Sequence, residues 1–189
     1  MIPTLPFRAR NRLAGMILTA LDDVHARRQL ATLASVSALP PDWTDCDARH
    51  VPLVTARARA AADAFERQPR LSAATSLGDA LRAAALLFDA GLGFETHEIL
   101  ESHWSRAEGA ARESLQGLIQ IAVGYQHLAN GNLDGARALL QEGAGRLDAG
   151  GLPEMDLTAF RSGVLETLAA LTGRAAITPP RFPRAVRAA

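Results

Sequence analysis

In FETHEILESHW, residues 94–104, a histidine and two glutamates fall where a helix would bring them together. A helix turns about 100° per residue, so Phe94, His97, Glu101 and Trp104 lie within about 80° of one another, and Glu98 lies about 40° beyond Phe94. His97 and Glu101, four residues apart, would put two donor atoms on one side of an ion. A carboxylate beside an imidazole also tunes it as a base. These residues could therefore bind a divalent transition metal or perform acid/base hydrolysis, with Glu98 as a second carboxylate at the rim.

Phe94, Leu100 and Trp104 mark that stripe as the predicted buried face, leaving Glu95, Ser102, His103 and Arg106 on the solvated side. Burying an uncompensated polar group costs roughly 2–7 kcal/mol, and a charge more, so partners are required. The next segment, LQGLIQIAVGYQHL, carries Gln116, Gln120 and His127 on one stripe beside a wide apolar arc. Paired as an antiparallel hairpin, the two helices would set His97 and Glu101 near Tyr125 to His127, and Trp104 nearer Gln116. Gly117 and Gly124, one heptad apart, would let a neighbouring helix approach closely.

Two readings follow. One is a non-catalytic scaffold or binding module in which His97, Glu98, Glu101, Trp104, Gln116 and His127 form a buried hydrogen-bonded cluster. It predicts that Glu101→Ala costs roughly 3–5 kcal/mol, as expected on breaking a buried charged pair. The other is a metal-assisted or acid/base hydrolase centred on His97, Glu101 and His127 as the metal ligands. The paired Glu-x-x-His pattern of di-iron bundles is not met, and Glu101 stands where a zincin would have its second histidine.

HEILESHW followed by LQGLIQIAVGYQHLANGNLDGA resembles the signature of the family catalogued as domain of unknown function 309, small all-helical proteins with a His-Glu-x-x-Glu-x-x-Trp motif. FDAGLGFETHEILESHW carries the Gly, Phe, His, Glu, Glu and Trp in register, and the likeness covers about Leu81 to Leu147. The resemblance implies a short helical bundle. It marks His97, Glu98, Glu101, Trp104, Gln116, Gly117 and His127 as carrying the family pattern. The family has no settled activity, so the resemblance implies a fold and no reaction.

Ala- and Leu-rich segments must position these residues. LAGMILTALDDVHARRQLATL repeats apolar residues at three and four and predicts one helix from about Asn11 to Ser37, ended by Pro40 and Pro41. PPDWTDCDARHVPL reads as a loop; Cys46 with Asp45, Asp47 and His50 has metal-donor types there, at a spacing that matches no standard site. TARARAAADAFERQ predicts a short helix. SLGDALRAAALLFDAG predicts a helix capped by Ser76 or Asp79 and stopped at Gly91, and four more helical segments follow, the last with Asp156 as N-cap. No strand pattern competes, so the fold class is all-α, a compact bundle of antiparallel helix hairpins with a helical N-terminal extension. The expected organisation is an extension and loop over 1–75, the bundle core over 76–173 and a mobile tail over 174–189.

Composition narrows the partners. Of 189 residues 48% are apolar and only 5% aromatic, so Ala and Leu supply most of the packing. Twenty basic residues balance 20 acidic ones, which gives no overall field towards nucleic acid or an anionic membrane. Every basic residue is arginine, which excludes Schiff-base and P-loop lysine chemistry. The single cysteine favours a reducing compartment, and no window approaches the roughly 20 apolar residues of a membrane span. The expectation is a cytoplasmic protein with a homodimeric or protein partner.

Overall fold

The computed structural model describes residues 4–66, 68, 76–147, 151–152, 155–171 and 177–184. Among them are eight α-helices, one 3-10 turn and no strand, the all-α class that the composition predicts. The chain divides into two compact units, residues 1–75 and 76–189.

The first unit holds α1 (Phe7–Thr19), α2 (Val24–Leu33), the 3-10 turn (Ala48–His50) and α3 (Val51–Glu66). The single helix expected from Asn11 to Ser37 is in fact two. Asp23 accepts a hydrogen bond from Ala26 N–H and opens α2, while Arg27 donates to the carbonyls of Ala20 and Leu21 at the end of α1. An acidic N-cap and a guanidinium on the preceding carbonyls satisfy the backbone groups that a break exposes. The apolar period runs through that break because both helices pack inward, through Leu13, Ile17, Leu30, Val54 and Phe65. Asp45 accepts from Ala9 N–H at the start of α1, and Asp47 and His50 form a reciprocal capping box, so the polar groups around Cys46 act as caps. Burial and the neighbouring Asp45 and Asp47 push the Cys46 thiol up.

The second unit holds α4 (Leu77–Asp89), α5 (Gly93–Trp104), α6 (Gly109–Ala129), α7 (Leu133–Arg146) and α8 (Thr158–Ala170). Ser76 caps α4 through Asp79 N–H, and Asp156 accepts from Thr158 N–H at the start of α8. The α4–α5 and α6–α7 hairpins turn in the same way 40 residues apart. Gly91 and Gly131 take φ of 75° and 73°, and the next N–H, of Leu92 or Asn132, returns to the carbonyl of Leu87 or His127 at 2.9 Å. That closure needs a left-handed residue, which glycine adopts without a steric penalty.

Residues 177–184 of the expected tail pack against the helices of the second unit. Phe182 is buried to 1% exposure, with ring centroids 5.4 Å from Phe88 and 5.5 Å from Phe160. Asp89, at the end of α4, accepts from Phe182 N–H and from the side chains of Arg181 and Arg184. An aromatic side chain buried at that depth supplies the energy that a proline-broken segment otherwise lacks. Residues 174–176 and 185–189 of the expected tail lie outside the described residues.

Candidate functional site

The buried arc of α5 is made by Gly93, Glu95, Thr96, Ile99 and Leu100. Gly93 is where α5 meets α6: a Cβ there would stand 2.5 Å from the carbonyl oxygen of Ala122. This arc is rotated from the predicted face, and the stripe of Phe94, His97, Glu101 and Trp104 runs along its edge. Phe94 and Trp104 are half-buried, Glu101 is exposed and His97 is intermediate. Glu95, expected outside, is fully buried. His103, expected in solvent, is half-buried. The large aromatics suggested the core face, but the close helix approach at Gly93 defines it, and long aromatics reach the edge from there.

The buried His97–Glu101 pair is therefore replaced by an open cluster. The Glu101 side chain is 52% exposed and its carboxylate lies 3.7 Å from His97 Nε2. His97 Nδ1 lies 3.2 Å from Glu98 Oε1. The approach to Glu98 does not meet hydrogen-bond geometry, so Nδ1 is shielded from solvent and has no hydrogen-bond partner. One donor atom from each of His97, Glu98 and Glu101 lies within 4.8 Å of the others, and among the described residues this is the one group of three metal-donor side chains so placed. With Glu101 in solvent, the stability cost of Glu101→Ala falls from the expected value to below about 1 kcal/mol, the range of exposed ion pairs. Chemical denaturation of that variant checks it; a loss of several kcal/mol would restore the buried pair.

Gln116 and His127 do not join the cluster. His127 Nδ1 is bonded to Asn132 at 2.7 Å, in the α6–α7 turn. Trp104 meets Arg112 instead of Gln116: the guanidinium stacks 4.1 Å from the indole and donates to the Trp104 carbonyl at 3.0 Å. Trp104 Nε1 is shielded and has no hydrogen-bond partner. The hairpin register explains both differences, because Gly93 sits against Ala122 and Gln126, placing Trp104 opposite the beginning of α6.

A second polar network, missed in the sequence, ties α6 to α7. Gln120 donates to Glu142 at 2.8 Å and accepts from Arg146 at 3.0 Å, while Arg146 also pairs with Glu113. Gly117 and Gly124 face α7: a Cβ on Gly117 would stand 2.8 Å from the Gly143 carbonyl, and one on Gly124 would stand 2.9 Å from Leu140. Gln120 lay on the flanking stripe of α6. Its partners could be found only by knowing that α7 closes on those glycines.

The donor set of the α5 cluster is one imidazole and two carboxylates on a single helix edge. Imidazole with carboxylates suits borderline first-row ions such as Zn²⁺ or Mn²⁺, and three protein donors leave coordination positions for water or a ligand.

Residues 81–139, which include the whole of α5 and this cluster, match the model of a family described as "Domain of unknown function (DUF309)". The resemblance seen in the sequence holds for that segment, and the match stops short of Leu147. No curated protein and no solved structure matches the chain.

Proposed function

We propose that the DUF309 segment is a non-catalytic helical binding module whose α5 edge holds a divalent transition-metal ion through His97, Glu98 and Glu101. The observation that carries this reading is their convergence within 4.8 Å beside a ring nitrogen without a hydrogen-bond partner. A buried structural network is disfavoured because Glu101 is half in solvent. Coordination would use one ring nitrogen of His97 and an oxygen from each carboxylate.

Metal-assisted hydrolysis at the same residues is the second reading, favoured by the coordination positions that three protein donors leave open. His127 drops out of it, being held in the α6–α7 turn. The balanced charge supports a protein without a nucleic-acid partner, and the lone Cys46 supports a cytoplasmic setting. No helix among the described residues is long and apolar enough to cross a membrane.

Titration calorimetry with Zn²⁺ and Mn²⁺ on chelator-treated full chain tests the site. The expected result is about one equivalent bound by the wild type, with at least about tenfold weaker binding in His97→Ala and in Glu101→Gln. Equal binding by wild type and both variants, or no heat and no metal retained by the wild type, would overturn the reading. Turnover of a simple phosphate or carboxylate ester by the loaded wild type, lost in His97→Ala, would replace the non-catalytic reading with the hydrolytic one.

A further inference from the structure

We infer that the groove along α4 and α8 is a recognition site for an extended, arginine-flanked Phe-Pro peptide, and that the chain's own residues 180–184, PRFPR, are its resident occupant. This inference uses none of the α5 cluster and stands apart from the metal reading.

Each residue of the segment meets a feature shaped for it. Pro180 lies over Gly163 of α8, where a Cβ would come within 2.6 Å of the proline ring, so the missing side chain is the notch that admits it. Phe182 fills an aromatic pocket whose other rings, Phe88 and Phe160, stand edge-on to each other at 5.5 Å. Its backbone N–H reaches Asp89 Oδ1 at 2.9 Å. The second Asp89 oxygen takes Arg184 at 2.7 Å and Arg181 at 3.2 Å. Asp89 keeps only 10% of its side chain exposed, whereas those of Arg181 and Arg184 are 86% and 57% exposed. The carboxylate belongs to the groove, and the arginines come to it from the peptide. Pro183 and Arg184 continue over Leu81, Ala85 and Met155, and on the other side Ile177 and Thr178 border a cavity of about 200 Å³ with Glu166 and Thr167.

This division of labour is that of peptide recognition, built around one buried aromatic anchor. Residues 177–184 have no helix or strand. Prolines flank the anchoring phenylalanine and hold the backbone extended, which lowers the entropy lost on docking. One backbone bond and one shared carboxylate orient the segment. A tethered segment competes with any free copy at an effective concentration in the millimolar range, so the groove is filled in cis by default and opens to a second peptide only when the resident is weakened.

The test is fluorescence anisotropy of a labelled peptide, ITPPRFPR, against three full-length proteins: wild type, Phe182→Ala and Arg181→Ala/Arg184→Ala. Wild type is expected to take up little peptide. Both variants, whose resident segment is weakened, are expected to bind it at least tenfold more tightly, and adding Asp89→Asn is expected to abolish that gain. Phe182→Ala can fail through loss of folding; the arginine variant changes only exposed side chains and keeps the comparison decisive, with circular dichroism confirming its fold. No uptake by the folded arginine variant at millimolar peptide, equal uptake by wild type, or equal uptake of a peptide with alanine in place of its phenylalanine would each overturn the inference.

Discussion

Replacing Phe182 with alanine is expected to lower the stability of the second unit by about 3–5 kcal/mol, the cost of deleting a buried aromatic ring from a packed site. The ring is 1% exposed and contacts Phe88 and Phe160 at centroid separations of 5.4 and 5.5 Å. Its removal leaves a cavity beside the edge-on pair of Phe88 and Phe160, which the surrounding structure can close only in part. The bonds from Asp89 to Arg181 and Arg184 do not offset that loss, because polar contacts to one carboxylate cannot refill the space the ring vacates. Denaturant unfolding of wild type and variant measures the difference. A loss below about 1 kcal/mol would mean that the segment rests on the surface without contributing to the core.

The second large effect appears in alkali. Tyr125 is buried, and its hydroxyl is bonded to Thr167 at 2.7 Å. Burial pushes its pKa up to about 12, against the smaller opposing influence of that hydrogen bond. The unfolded chain ionises this group near pH 10, so the neutral phenol favours the fold. That contribution is fully present below pH 10 and is lost as the pH rises towards 12. At about 1.4 kcal/mol per pH unit the loss reaches about 2–3 kcal/mol. The composition makes the measurement clean: the chain has one tyrosine and no lysine, and arginine keeps its proton in this range. Cys46 is the other group to control, because its thiol is also pushed up. In a Cys46→Ser background, stability plotted from pH 9 to 12 should fall along with the tyrosinate absorbance, and Tyr125→Phe should flatten it. An unchanged slope in Tyr125→Phe would assign the alkaline limb elsewhere.

Helix ends were legible in the sequence wherever one residue type has one physical use. Gly91 stops α4 because the closing bond requires a positive φ, and Ser76 caps the same helix because its hydroxyl meets a free N–H. The break at Asp23 was hidden because the apolar period on either side points to one core. The apolar pattern misplaces the buried face of α5 for a related reason. Periodicity weights Phe94 and Trp104 by their size, whereas the contact at Gly93, with no side chain at all, decides which edge faces α6. That choice moves His97 and Glu101 from the interior to the rim and brings Glu95 inside. The grouping of His97, Glu98 and Glu101 survives the rotation, since Glu101 lies three residues from Glu98 and four from His97, and residues so spaced stay together on a helix whichever way it turns. Partners on other helices, such as Gln116 and His127, depended on a register that one sequence could not supply.

The docking of residues 177–184 on Asp89 also bears on the order in which the unit assembles. Its hydrogen bonds span 92 to 95 residues, whereas each hairpin closes through a turn of a few residues. Closing so long a loop pays its entropy before any contact returns it, so the hairpins are expected to condense before the aromatic latch engages. A contact made after the barrier slows escape from the native state without speeding entry to it. The persistence of the assembled unit, measured as a lifetime, is therefore expected to depend on its C-terminal segment.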